Sequence, residues 1–218
     1  MALGHAFEFD AAVEDVARSA AFYESLGFTR VERRNAPPAT RLSDGLIVLA
    51  LRPGREGTGL TYYSDVPDIP TDRATDPTGL RISVVRGERA DSPRLEGRAL
   101  STLGQFGELS LETRDVGATA AFWRALGFAP TQYSPGSGAG WESLSDGLLM
   151  VGIYGTGHTK HVFKSPVITY FNDDAPQRIY RMKGQGFRFV QEIGGADAPR
   201  EAVIEAPDGQ MLFLFGAG

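Results

Sequence analysis

The sequence contains no cysteine, which excludes disulfides, thiolate metal sites and cysteine nucleophiles together. It has no apolar run approaching the ~20 residues that a membrane-spanning helix needs. It also lacks any cluster of lysine and arginine: 22 basic residues are interspersed with 27 acidic ones, for a formal net charge of −5. A chain without a basic track is a poor partner for nucleic acid or an anionic membrane surface. The opening residues, MALGHAFEFD, have neither the basic nor the apolar region of a secretory leader. A cytoplasmic protein acting on a small molecule is the expectation. What is present is ordinary for a folded protein: 42% hydrophobic and 22% charged residues over 218 positions, enough for one large domain or two small ones.

The strongest positive signal is internal repetition. Val13–Phe28 (VEDVARSAAFYESLGF) and Thr113–Phe128 (TRDVGATAAFWRALGF) share eight of sixteen positions at an offset of 100, and LSDGL occurs at both Leu42–Leu46 and Leu144–Leu148. Each copy parses alike. A short strand (Ala6–Asp10; Phe106–Leu111) runs into an Asp-containing turn, and an amphipathic helix ends at Gly27 or Gly127, where a positive φ is tolerated. A strand begins at Phe28 or Phe128, and Asp-Gly turns into another apolar strand (Leu46–Leu51; Leu148–Ile153). The unit is βαβββ.

Two weaker copies follow. The strand Val167–Phe171, a helix over Ala175–Lys183, the Gly186-Phe187 junction and the turn Pro207–Gly209 leading into Met211–Phe215 make a fourth module. Between the clear copies, Leu60–Val66 is a strand and DPTG (Asp76–Gly79) leads into Leu80–Val85, but only about ten residues separate them, too few for a helix and two strands. The second module is therefore read as truncated. The fold class is α+β: tandem βαβββ modules forming curled mixed β-sheets with helices outside. The expected boundaries are an N-terminal half at 1–86, a linker at 87–104 and a C-terminal domain with two full modules at 105–218. Sheet edge left open by the short second module makes a homodimer an expected partner arrangement.

Paired modules carrying DVARSAAFYESLGF, DVGATAAFWRALGF, DPTG and APDG resemble the vicinal-oxygen-chelate superfamily, which includes glyoxalases, bleomycin-resistance proteins and extradiol dioxygenases. The resemblance is specific for fold and weak for function, because the superfamily spans isomerases, epimerases, ring-cleaving dioxygenases, thiol transferases and non-catalytic drug-binding proteins. It implies metal ligands early on a module's first strand and on its last strand. The first-strand positions hold Glu8, Thr58, Glu108 and Pro166, and the last-strand positions hold Ala50, Ser83, Gly152 and Phe213. A divalent ion wants three or four N/O donors; these positions imply that the usual metal centre is lost, and no cofactor is expected.

Strand alternation gives a second route to a site. Phe106 and Glu108 share a face, and a closing sheet would set Glu108 in an apolar cup lined by Met150, Gly152, Tyr154, Ile168, Tyr170, Met211 and Phe213, with Trp141 beside a glycine-rich flap at Pro135–Gly140. A cup of this kind suits a small aromatic or polycyclic ligand. A lone carboxylate there titrates high, which makes Glu108 the candidate catalytic acid or base. Against this stands partial solvation of Glu108 at the sheet's mouth, or an arginine partner. Glu8 takes the same place in the first half and reads as structural or solvent-exposed. His5 is read as a surface or satisfied histidine, and His158 and His161 as a rim over the cup.

The leading reading is a small-molecule binding protein of glyoxalase/bleomycin-resistance type, able to carry metal-free acid–base chemistry at Glu108. The alternatives are a metal-dependent lyase, isomerase or ring-cleaving dioxygenase with ligands relocated to Glu8, Glu108 and His158 or His161, and a non-catalytic structural or interaction protein.

Overall fold

The computed structural model describes residues 3–32, 38–55, 57–66, 74–87, 97–135, 138–195 and 198–216. Residues 88–96 of the expected linker, and 136–137 of the expected flap, lie outside the described residues.

The first half opens with β1 (Ala6–Val13) and α1 (Val16–Ser25), followed by β2 (Thr29–Arg30), β3 (Thr40–Ser43) and β4 (Val48–Pro53). The strands β5 (Gly57–Ser64), β6 (Ala74–Thr75) and β7 (Arg81–Arg86) complete a seven-stranded mixed sheet in the order β2-β3-β4-β1-β5-β7-β6. The second half repeats the opening with β8 (Gln105–Thr113), α2 (Val116–Ala125), β9 (Ala129–Pro130), β10 (Trp141–Ser145) and β11 (Met150–Gly155). It then adds β12 (Val167–Asn172), α3 (Ala175–Gly184), β13 (Gln191–Gly195), β14 (Ala198–Glu205) and β15 (Met211–Gly216). These strands form an eight-stranded sheet, β13-β14-β15-β12-β8-β11-β10-β9. Neither sheet closes on itself. Among the described residues no helix joins β5 to β6, whereas α3 occupies the matching place in the second sheet.

The repeat is visible in its mechanics. Asp15 and Asp115 each cap a helix by accepting the backbone N–H three residues on, at 2.9 Å in both cases, satisfying a donor the helix leaves free. Gly27 and Gly127 follow the two helices at φ 97° and 95°. In both sheets the first strand is central, parallel to one neighbour (β1 to β4, β8 to β11) and antiparallel to the other (β1 to β5, β8 to β12).

One continuous apolar core lies on the helix-bearing side of both sheets, running from Phe9, Tyr23 and Leu49 through Phe106 to Leu109, Trp123 and Tyr170. Four of the polar contacts that cross between the halves join an aromatic ring to an aspartate. Tyr170 Oη donates to Asp44 and Tyr62 Oη to Asp146, each at 2.9 Å. Trp123 Nε1 donates to Asp76 at 3.2 Å, and Tyr23 Oη to Asp208 at 3.4 Å. The four acceptors are the aspartates of the four module turns. Asp44 and Asp146 each also receive two backbone N–H groups of their own turn. The repeated LSDGL thus folds its turn and receives a ring donor from the opposite half.

Candidate functional site

The faces of the sheets away from the core differ sharply between the two halves. In the first, Glu8 on β1 is fully buried. Arg41 from β3 grips it with both prongs, Nε to Oε2 at 2.8 Å and Nη2 to Oε1 at 3.1 Å, and Tyr63 Oη donates to Oε1 at 2.6 Å. Arg52 approaches the same carboxylate at 3.5 Å and pairs with Asp10, which also accepts from Thr61 Oγ1 at 3.2 Å. Burial and the paired carboxylate act in opposite directions on the Arg41 guanidinium, and its pKa ends above the ordinary arginine value. Glu8 is a structural anchor, as one of its two sequence readings had it; it is not solvent-exposed. Arg41, Arg52 and Tyr63 take up the space against this carboxylate, and a smaller cavity of about 420 Å³, lined by Asp10, Arg52, Thr61, Arg81 and Ser83, lies beside them.

In the second half the corresponding space is open, a cavity of about 830 Å³. Glu108 stands at its base, only 3% exposed. Its Oε1 accepts from Tyr154 Oη and from Ser110 Oγ, both at 2.7 Å, and Ser110 is in turn joined to Thr169 at 2.7 Å. No hydrogen bond reaches Oε2 among the described residues. Burial raises the Glu108 pKa, opposed by the two hydroxyl donors, and the Tyr154 hydroxyl is raised by burial and by the neighbouring carboxylate. Gly152 lies directly under the carboxyl group: a Cβ there would sit 2.1 Å from Oε1.

The walls are aromatic. Trp141 stacks on Tyr154 (centroids 5.9 Å apart, planes 10°), and His158 stacks on the same ring at 6.1 Å. His161 stacks on Phe213 at 4.0 Å, with Phe163, Phe171, Phe215 and Met150 completing the apolar lining. Burial lowers the His161 pKa to about 4, partly countered by Glu112, so this imidazole is neutral at physiological pH. Glu201 and the exposed Lys160 are the other charged groups on the lining, the Glu201 carboxyl being raised by burial.

The structure brings together Glu108, Met150, Tyr154, Trp141 and Phe213 around the cavity, with Gly152 beneath. Met211 packs behind that wall in a small cluster with Val167, Val203 and Phe213. Three expected lining residues are elsewhere. Phe106 shares no face with Glu108, because the β8–β12 register shifts between Thr169 and Tyr170 and leaves Gly107 as an extra residue. Phe106 turns into the core against Phe9 and Tyr170. Ile168 and Tyr170 belong to that core as well; on β12 it is Thr169 and Phe171 that line the cup. Alternation fixed the two sets correctly, but a strand apolar on both faces gives no clue to which set points outward. Thr169 was missed for the same reason; alternation did place Ser110 on the carboxylate's face, but neither it nor Ser143 on β10 was offered as a lining residue.

The donor set does not fit the divalent-metal centre that the resemblance implies. Among the described residues no three His, Asp or Glu side chains converge, and the groups against Glu108 are the hydroxyls of Ser110 and Tyr154 and the glycine at position 152. Glu8, offered as a relocated ligand, is held by Arg41 in the other sheet, and His158 and His161 stack on rings.

No protein-family model matches the sequence, and no curated protein matches it. Solved structures do. A catechol 2,3-dioxygenase aligns with a TM-score of 0.56 at 14% identity, covering 94% of this chain and 85% of that one. Homoprotocatechuate 2,3-dioxygenase from Arthrobacter globiformis gives 0.61 at 16% identity, over 98% and 79%. A Mn(II)-bound glyoxalase from Novosphingobium aromaticivorans gives 0.60 at 16%, over 95% and 79%. These likenesses establish the vicinal-oxygen-chelate fold that the repeated motifs resemble.

Proposed function

We propose that this chain, built on the vicinal-oxygen-chelate fold, binds a small planar aromatic molecule in the cup of its C-terminal sheet, with Glu108 as the polar anchor. The observation that carries the reading is the cavity itself: about 830 Å³, walled by Trp141, Tyr154, Phe163, Phe171 and Phe213, with one nearly sealed carboxylate at its base. Pockets of this size, mostly apolar with a few placed polar groups, are what small-molecule sites look like. The structural neighbours add support, since a catechol 2,3-dioxygenase is named for an aromatic substrate.

The reading needs no metal for binding. A ligand hydroxyl or amine reaching Oε2 supplies the hydrogen bond that Glu108 lacks, and rings stacked on Trp141 and Phe213 supply contact area. If the bound molecule carries an acidic proton, a carboxyl whose pKa is raised by burial is suited to take it up or return it near neutral pH.

The test is thermal stabilisation of EDTA-dialysed protein by a panel of two-ring aromatics. Stabilisation that is lost in Met150→Glu and in Phe213→Glu, with both variants folded by circular dichroism, supports the reading. Stabilisation that appears only after adding Mn²⁺ or Fe²⁺ supports instead a metal-dependent enzyme with this fold.

A further inference from the structure

The duplicated chain contains two copies of the same cup, and one of them shows what the other lacks. Glu8 and Glu108 occupy matching places on the central strands, pairing respectively with Thr61 and Thr169 on the antiparallel neighbour. Registering the strands by LSDGL puts Ser143 where the first half has Arg41. Arg41 pairs with Ala50, which pairs with Asp10; Ser143 pairs with Gly152, which pairs with Ser110. Tyr154 likewise stands where the first half has Arg52, opposite Glu112 as Arg52 stands opposite Ala12.

Both arginines that approach the first carboxylate are therefore replaced by uncharged side chains around the second. Glu108 keeps hydroxyl partners, as Glu8 keeps Tyr63, but has no ion pair among the described residues. Ser143 Oγ is buried with no hydrogen-bond partner among them, in the wall from which Arg41 reaches across in the first half. Lys160, the one cation on the lining, is exposed and is not paired with Glu108, while Glu201 adds a second carboxylate.

We infer that the C-terminal cup selects an organic cation, a planar amidinium, guanidinium or protonated amine on an aromatic body, whose charged group takes the place that the Arg41 guanidinium holds against Glu8. This rests on the binding reading above and narrows its ligand class. An amidinium meets a carboxylate through paired N–H donors, as Arg41 does. The rings of Trp141, Tyr154 and Phe213 present π faces that favour a cation over an anion.

Calorimetric titration of the EDTA-dialysed chain with 2-naphthamidine, 2-naphthamide and 2-naphthoate tests this, because the three share a ring system and differ in charge. The expected order is amidine first, roughly tenfold or more tighter than the amide, as befits a hydrogen bond to a charged group, with naphthoate weakest. Glu108→Gln should remove the amidine's advantage, bringing the amidine and amide affinities to within about twofold of each other, roughly the level expected once the charged partner of the hydrogen bond is gone. Ser143→Arg, which restores the first half's arginine, should block 2-naphthamidine. Equal affinities for amidine and amide, or an amidine preference that survives Glu108→Gln in a folded protein, would overturn the inference and leave the aromatic cup standing. Failure of all three probes to bind would remove both.

Discussion

Glu108 lies on Gly152 so closely that the carboxyl occupies the space of the missing side chain: a Cβ at position 152 would fall 2.1 Å from Oε1 and 2.6 Å from Oε2. The absence of one methyl group thus sets where the only carboxylate at the base of the cup can stand. Gly152→Ala should push Glu108 off its hydrogen bonds to Tyr154 and Ser110 and destabilise the fold by about 1–3 kcal/mol, the usual range for overpacking. Urea denaturation and a crystal structure of the variant check this. An unchanged midpoint with Glu108 still bonded to Tyr154 would contradict it.

The first-half cup should respond to mutation in a different way. Glu8 is fully buried and Arg41 nearly so, so Arg41→Met leaves a sealed carboxylate short of its main counter-charge. A loss of about 3–5 kcal/mol is expected, as for other broken buried pairs. The double variant Glu8→Met, Arg41→Met should lose less than the single one, because no stranded charge remains. Denaturation of the four members of the cycle measures the coupling, and additive losses would show that the pair is not acting as a unit.

The ring-to-aspartate contacts predict that the halves are joined by polar as well as apolar contact. Tyr170→Phe withdraws from buried Asp44 its only side-chain donor among the described residues, and Tyr62→Phe does the same to Asp146. Each should cost on the order of 1–3 kcal/mol without altering ligand affinity in the cup. A Phe variant as stable as the parent would mean that water replaces the hydroxyl without loss.

Glu108 also makes a prediction about pH. Burial holds its pKa above the ordinary carboxylate range, so the folded chain keeps this proton where the unfolded chain has released it. The associated stability is fully present below the ordinary range and is lost as pH rises through the raised value. Glu108→Gln cannot release a proton, so its stability relative to the parent should grow as pH rises, over a window that opens at the ordinary glutamate value of about 4.3 and extends through the raised one. A difference that stays flat across this window would show that Glu108 titrates normally.

Much of this was legible in the sequence. The offset-100 repeat and LSDGL carried the module plan, the Asp-containing turns before the two helices, and the matching places of Glu8 and Glu108. The shortfall of residues between the Leu60–Val66 strand and Asp76 led to the reading of a truncated second module, and among the described residues no helix joins β5 to β6. What could not be read was local. The extra residue Gly107 reverses the facing of Phe106, and no periodicity marks a bulge in a strand of mixed character. The outward set on β12 depends on which side the helices pack, and VITYF is apolar or aromatic at four of its five positions. The partners of Glu8 come from Arg41 and Arg52, which a strand-by-strand reading does not bring together. The ring donors to Asp44, Asp76, Asp146 and Asp208 come from modules distant in the chain.

The central claim is that an aromatic ligand occupies the C-terminal cup without a metal. Equilibrium dialysis of 2-naphthamide against EDTA-treated protein, repeated with added Mn²⁺ and with Met150→Glu, tests it most directly. The account predicts one site per chain, the same affinity with and without Mn²⁺, and loss of binding in the variant. Binding that requires Mn²⁺, or that survives Met150→Glu undiminished, would contradict it.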